Sequence, residues 1–167
     1  RHFMLKEIYE QRDTAQLWID RFLPSDSPSE KSVALPISKF TLEKIEQIQI
    51  LACGTSRHAA MVGAYLLEQF AGVPTNVYFA SEFRYSPPPV SPHTLTIGVS
   101  QSGETADTLA ALRMEKDRRD SIKDPNFFFH KLGITNRLDS SLARELEDVI
   151  DIGSGIEIGV AATKTFL

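Results

Sequence analysis

Three short stretches of this 167-residue chain combine hydroxyl, amide and glycine residues in a way that suits anion binding. Ser100-Gln-Ser-Gly-Glu-Thr105 is the sharpest. It follows the apolar run Leu95–Val99 and leads into a segment of helical character from Glu104 to about Arg118, with Thr105 and Thr108 in its first turns. A helix start carries unpaired backbone N–H groups and about half a unit of positive charge. The hydroxyls of Ser100, Ser102 and Thr105 can donate to one anion, and Gly103 lets a ligand approach the backbone closely. That makes a phosphate cradle without a lysine. It is not a Walker loop, for no Gly-Lys-Ser/Thr follows, nor a dinucleotide fingerprint, for G-x-G-x-x-G is absent. The same residues also suit a plainer role, with Ser102 an ordinary N-cap and Thr105 three residues on.

Cys53-Gly-Thr-Ser56 repeats the arrangement after an earlier apolar run, placing Thr55 and Ser56 at a second helix start. A Gly-Thr-Ser turn before a helix also needs no ligand. Two such loops at neighbouring strand ends would suit a small, polar, phosphorylated ligand, with Gln101 available for sugar hydroxyls. No aromatic residue interleaves them, which argues against a stacked base. The third stretch, Gly153–Lys164, contains Glu157, which could contact a sugar or cap a helix. Cys53 reads better as a small buried strand-end residue than as a nucleophile. His2, His58, His93 and His130 show no metal-ligand spacing with it, so no metal is assigned. Glu104 and Asp107 fit the first turn of a helix, where the dipole favours acids. The three phenylalanines of Lys123–His130 read as a local packing plug.

These loops need strands and helices to hold them. Helical spacing of Met4, Leu5, Ile8, Tyr9, Ala15, Trp18, Ile19 and Phe22 predicts an amphipathic arm over residues 1–23, with a break near Arg12–Thr14. Residues 24–36 are rich in Pro and Ser and read as a linker. From Gln47 onward, strands alternate with helices: Gln47–Ala52, Asn76–Ala80, Leu95–Val99, Lys131–Thr135 and Val149–Ile152 as strands. Between them come helices over His58–Phe70, from Glu104 to about Arg118 and over Ser140–Leu146, and a short helix capped by Ser81 before the Pro87–Pro89 loop. Another is expected near Ile158. Strict alternation implies an α/β fold, a doubly wound parallel five-stranded sheet sandwiched by helices over residues 37–167. In such sheets ligands bind outside the carboxyl ends of the strands, where the chain order reverses.

Composition narrows the function classes. With 42% hydrophobic residues and a net charge of −4, the chain can build a core and is not a disordered tract. Eighteen basic against twenty-two acidic residues leave no surplus for a phosphate backbone, so nucleic acid is not expected as a partner. The apolar runs are far shorter than the ~20 residues of a bilayer helix, so no membrane association is expected either. A single cysteine excludes an internal disulfide and fits a cytoplasmic location. The chain opens on Arg1 and closes on Leu167 within an expected helix, which suggests a fragment of a longer protein.

Ala52-Cys-Gly-Thr-Ser56, Ser100-Gln-Ser-Gly-Glu-Thr-Ala-Asp-Thr108 and Glu157-Ile-Gly-Val-Ala161, after the opening His2-Phe-Met-Leu-Lys-Glu-Ile-Tyr-Glu-Gln11, resemble the isomerase half of the glutamine–fructose-6-phosphate aminotransferase family. The resemblance runs in the same order along nearly the whole chain. It implies the first of two SIS (sugar isomerase) domains, of flavodoxin-like fold. It also implies a site for the phosphate of fructose 6-phosphate or glucosamine 6-phosphate on Ser100, Gln101, Ser102 and Thr105. Thr55 and Ser56 would lie beside the sugar, and Val160 and Ala162 in a third sugar-contacting loop. Enzymes of the family make glucosamine 6-phosphate from fructose 6-phosphate and glutamine, without a separate cofactor. Their lysine, glutamate and histidine lie in later segments and their cysteine nucleophile in a glutaminase domain. No catalytic residue is therefore assigned here, and the chain is expected to bind without turnover. The implied partners are a second SIS domain, the glutaminase domain and a second subunit. Ala162 stands where the family pattern has Ser, Arg12 where it has Pro, and the stretch over residues 117–130 is longer than the family's. A non-catalytic SIS regulator and a standalone sugar-phosphate isomerase are the alternatives.

Overall fold

The computed structural model describes residues 2–22 and 35–167; residues 24–34 of the expected linker lie outside the described residues. Five strands form one parallel sheet, β1 (Gln47–Ala52), β2 (Thr75–Phe79), β3 (Thr94–Ser100), β4 (Phe129–Thr135) and β5 (Asp148–Asp151), in the order β2-β1-β3-β4-β5. The helices are α1 (Phe3–Phe22), α2 (Lys39–Leu42), α3 (Gly54–Ala71), α4 (Ala80–Phe83), α5 (Ala106–Asp120) and α6 (Ser141–Glu145). This is the expected doubly wound α/β fold with an N-terminal helix. The chain order reverses between β1 and β3, so the crevice of such sheets opens beside the ends of these two strands.

Alternating side chains give each face of the sheet its own core. Ile48, Ile50, Leu95, Ile97 and Leu132 pack with Ala60 of α3 on one face. Leu51 packs with Ala80, Phe83, Leu109, Leu112, Leu142 and Leu146 on the other. Small strand residues bring the second layer close. A Cβ on Gly98 would come within 2.5 Å of Leu112, and one on Gly133 within 2.6 Å of Leu142.

A polar network crosses that second face. Glu115 of α5, 1% exposed, accepts from Gln49 Nε2 at 2.7 Å, Arg119 Nε at 2.6 Å and Arg118 NH1 at 2.8 Å. The two arginines reach on to the carbonyls of Pro88 and Ser91. This fastens the proline loop between α4 and β3 to α5. Arg119 also lies over the rings of Phe127 and Phe129, so the phenylalanine run packs locally.

Several element ends differ from expectation. α1 is unbroken through Arg12–Thr14. α3 starts at Gly54, whose φ of +53° turns the chain out of β1 directly into the helix, and ends at Gly72, φ +65°. Ser81 lies inside α4, whose N-cap is Phe79. β4 begins at Phe129, which pairs with Thr94. The helix expected near Ile158 does not form. Glu7 of α1, 3% exposed, accepts from the N–H groups of Ile158 at 2.6 Å and Gly159 at 3.1 Å. Glu157 takes those of Thr163 at 2.7 Å and Lys164 at 3.0 Å. Carboxylates therefore fold this segment into an irregular loop. Lys164 is paired with Glu10 at 2.7 Å, and Trp18 Nε1 donates to the carbonyl of Ile152, which anchors α1 to the domain.

Candidate functional site

At the carboxyl end of β3, the loop from Ser100 to Thr105 is built around one buried hydroxyl. Ser100, 2% exposed, accepts from the Gly103 N–H at 3.0 Å and is hydrogen-bonded to Thr105 Oγ1 at 2.8 Å. Thr105 is the N-cap of α5, but its side chain caps nothing in the helix because it is held by Ser100. Ser102 is exposed and accepts from the Glu104 N–H at 3.2 Å, two residues on. The helix begins at Ala106, so Ser102 is not the N-cap that the plainer local reading allowed. Gln101 is half-buried, and its carbonyl accepts the Asn136 N–H at 3.1 Å, which ties the loop to the end of β4.

Gly103 has a different job from the one its type suggests. Its φ is +65°, and a Cβ there would lie 2.0 Å from Ser140 Oγ and 2.9 Å from Thr135 Oγ1. The space is needed by the protein and not by a ligand. Glu104 likewise does not serve α5. Its carboxylate accepts the Ser141 N–H at 2.7 Å at the start of α6. That bond is the main cause holding its carboxyl below the usual range. Nothing near Glu104 in sequence signals this partner 37 residues away.

Beside this loop, β1 ends at Ala52, paired with Val99. Cys53 is the N-cap of α3 and makes no side-chain cap bond. Thr55 and Ser56 follow in the first turn, half-buried, and among the described residues their hydroxyls have no hydrogen-bond partner. Thr108 Oγ1 of α5 lies 4.0 Å from Cys53 Sγ, so the two helix starts are adjacent. The structure thus brings Thr55, Ser56, Gln101, Ser102 and Thr105 to the carboxyl ends of the adjacent inner strands β1 and β3. There, two helices open onto the same crevice with no side chain capping either N-terminus. Open N–H groups, hydroxyls and two positive dipole ends form an arrangement that favours an anion. No group of three or more His, Cys, Asp or Glu suited to a metal occurs among the described residues.

Val160 and Ala162 are placed differently. Val160 is fully exposed, Ala162 half-buried, and both lie on the loop fastened to α1. Among the described residues no hydrogen bond joins either to the loops after β1 and β3. Glu157, left open between sugar contact and cap, has its carboxylate filled by Thr163, Lys164 and Thr165. Ser154 and Asn136 lock the start of this loop to the end of β4, with the Ser154 N–H donating to Asn136 Oδ1 at 2.9 Å. No described helix is long and apolar enough to cross a membrane.

The family model described as SIS domain matches residues 41–167. A glutamine–fructose-6-phosphate aminotransferase (isomerizing) from Synechocystis sp. is 55% identical over 172 residues, covering 100% of this chain and 27% of the relative. One from Thermosynechococcus vestitus is 55% identical over 171 residues, with the same coverage of 100% and 27%. The chain therefore spans about a quarter of the length of these curated relatives. The solved C-terminal domain of glucosamine-fructose-6-phosphate aminotransferase from Francisella tularensis superposes with a TM-score of 0.80 at 41% identity, over 99% of this chain and 43% of that one.

Proposed function

The chain belongs to the SIS domain family, and we propose that it is the sugar-phosphate-binding unit of a glutamine–fructose-6-phosphate aminotransferase, holding fructose 6-phosphate or glucosamine 6-phosphate. The observation that carries this is the pair of uncapped helix starts, α3 and α5, meeting at the strand-order reversal with free hydroxyls between them. Ser102, Thr105 and the open N–H groups of α5 take the phosphate. Thr55, Ser56 and Gln101 face the sugar. Ser100 acts from beneath, holding Thr105 and Gly103 in place. Val160 and Ala162 fall outside this set and complete a wall only if the C-terminal loop moves in. The identity of 55% along the whole chain to enzymes of that name supports the choice of ligand.

The same reading makes the chain a binder and not a complete catalyst. Proton transfer needs a base within hydrogen-bond reach of the substrate. Among the described residues, the carboxylate nearest in sequence to the phosphate loop, Glu104, is committed to Ser141. The full reaction then depends on a second SIS domain and a glutaminase domain in the same cytoplasmic protein, which works without a separate cofactor and as a dimer. Residues 1–23 act as the arm that enters residues 37–167, the binding domain.

A thermal-shift titration with fructose 6-phosphate, glucosamine 6-phosphate, fructose and inorganic phosphate tests this. Ligand at about 100 times its dissociation constant stabilises by about 2.7 kcal/mol, a rise of roughly 5–10 °C for a chain of this size. A shift with the sugar phosphates and none with fructose is expected. Equal shifts with fructose, or none with any ligand, overturn the assignment to this chain alone.

A further inference from the structure

Helix α1 meets the rest of the domain along one narrow face. From His2 to Arg21, the residues that are not exposed are Glu7, Glu10, Gln11, Thr14, Ala15 and Trp18. Steps of three and four put them on one side of the helix. Neither hydrophobic core cluster of the sheet includes a residue of α1. The helix is held instead by polar bonds to the segment after β5. Glu7 takes the N–H groups of Ile158 and Gly159, Glu10 takes Lys164 Nζ, and Trp18 donates to the Ile152 carbonyl.

Two of these bonds flank the tip of the C-terminal loop. Val160, Ala161 and Ala162 lie between the Glu7-bound N–H groups on one side and Lys164 on the other. Glu7 and Glu10 are three residues apart, so one turn of α1 grips the tip from both sides. Within the loop, Glu157 closes the far side by accepting from the Thr163 and Lys164 N–H groups. The fit at Glu7 is close. The residue is 3% exposed, and a Cβ on Gly159 would lie 2.6 Å from its Oε2. Bonds from N–H groups to a carboxylate are roughly twice as strong as neutral ones. Val160 and Ala161 are exposed, so the tip takes its shape from these clamps and not from packing.

We propose that Glu7 is a positioning residue for the sugar: it fixes the Val160–Ala162 tip to α1, and so sets the preference for a sugar phosphate over bare phosphate. This rests on the binding function proposed above, in which the tip completes the wall of the site when the loop moves in. A tip clamped to a helix moves with it as one body and meets the ligand already ordered. A tip released from Glu7 is ordered only by the ligand, and binding then bears the cost of freezing its backbone and side chains. Bare phosphate, held by α5 and the hydroxyls after β3, makes no use of the tip. Its binding is therefore independent of Glu7.

Thermal-shift titrations of the chain with glucosamine 6-phosphate and with inorganic phosphate separate the two cases. Glu7→Ala should raise the dissociation constant for the sugar phosphate about tenfold, roughly what ordering one or two freed side chains costs on binding. The constant for phosphate should stay as in the parent. Glu7→Gln should fall between them, since its carbonyl oxygen still accepts one N–H from the same place. Gln16→Ala, on the exposed side of α1, should behave as the parent. Hydrogen exchange gives a second readout: the amides of Ile158 and Gly159 should exchange faster in Glu7→Ala, while those of β3 and α5 keep their rates. Equal losses of affinity for both ligands, or unchanged exchange at Ile158 and Gly159, overturn the proposal. A parent that binds neither ligand overturns the functional reading and this role with it. A parent that binds the sugar phosphate no better than Glu7→Ala overturns the role of Glu7 alone.

Discussion

The Ser100 hydroxyl is 2.8 Å from Thr105 Oγ1 and accepts the Gly103 N–H at 3.0 Å, so one buried oxygen holds both the turn and the end of the Ser100–Thr105 loop. Ser102, two residues along, is exposed, and among the described residues its hydroxyl is bonded only to the Glu104 N–H. The two serines therefore differ in setting, one shaping the loop from within and the other open at its surface, where the proposed ligand would meet it.

Ser102→Ala is expected to weaken glucosamine 6-phosphate binding by about 1–3 kcal/mol, the contribution of a hydrogen bond to a charged group, with the melting temperature unchanged. Ser100→Ala should weaken binding and also destabilise the fold by about 0.5–1.5 kcal/mol, since it removes the hydroxyl bonds to Thr105 and Gly103 while the Gly103 N–H keeps the Ser100 carbonyl at 3.2 Å. Titration calorimetry and thermal melts on both variants check this. Equal melting temperatures for the two would show that Ser100 does not hold the loop.

Gly103→Ala and Gly72→Ala form a matched pair. Both glycines sit at φ +65°, but only Gly103 is hemmed in, by Ser140 and Thr135. Gly72→Ala should cost about 1–2 kcal/mol for the left-handed backbone alone. Gly103→Ala should add about 1–3 kcal/mol of overpacking. Urea unfolding gives both numbers, and equal losses would show that the loop yields to a methyl group without strain.

Much of this was readable in the chain because it depends on neighbours in sequence. The alternation in Gln47–Ala52 and the apolar Leu95–Val99 run place β1 and β3 to within a residue at either end. The Gly-Thr-Ser and Ser-Gln-Ser-Gly turns then mark the crevice between them. What sequence pattern missed depends on distant partners. Gly-rich residues 153–159 look like the approach to a helix, but Glu7, over 150 residues away, takes the N–H groups that a helix start near Ile158 would present. Glu104 looks like a first-turn acid of α5 and instead serves α6. Gly103 looks like room for a ligand and is room for Ser140. In each case a side chain or backbone group from another element decides the local outcome, and no periodicity records it.

Glu115 joins Gln49, Arg118 and Arg119 within the core of the α5 face. Glu115→Ala should destabilise by about 3–5 kcal/mol, because it strands the buried Arg119 charge. Replacing Glu115 and Arg119 together, by Leu and Met, should recover most of that loss, since a buried pair is often matched by apolar residues of similar volume. Chemical denaturation of the single and double variants separates the two terms. A double variant no more stable than Glu115→Ala would show that the network holds the Pro87–Pro89 loop through its carbonyl contacts and not through its charge balance.

The anchoring of α1 should be sensitive to acid. Glu10 is paired with Lys164 at 2.7 Å and with Lys6 at 3.2 Å. The Lys164 hydrogen bond is the largest cause holding its carboxyl below the ordinary value, with Lys6 next. A carboxyl depressed by folding stabilises the folded state above its unfolded pKa, about 4.3. That contribution fades as the pH falls through the lower, folded-state value. The ion pair is therefore intact near neutrality and released in acid. Trp18, the single tryptophan, reports it, because its indole donates to the Ile152 carbonyl at the same junction. Glu10→Gln should loosen α1 at neutral pH, seen as a red shift of Trp18 emission. Its difference from the parent should shrink as the pH falls through the lowered folded-state value, where the parent loses the same charge. A difference that stays constant from neutral to acid pH would mean that Glu7 and Trp18 hold α1 without help from the Glu10–Lys164 pair.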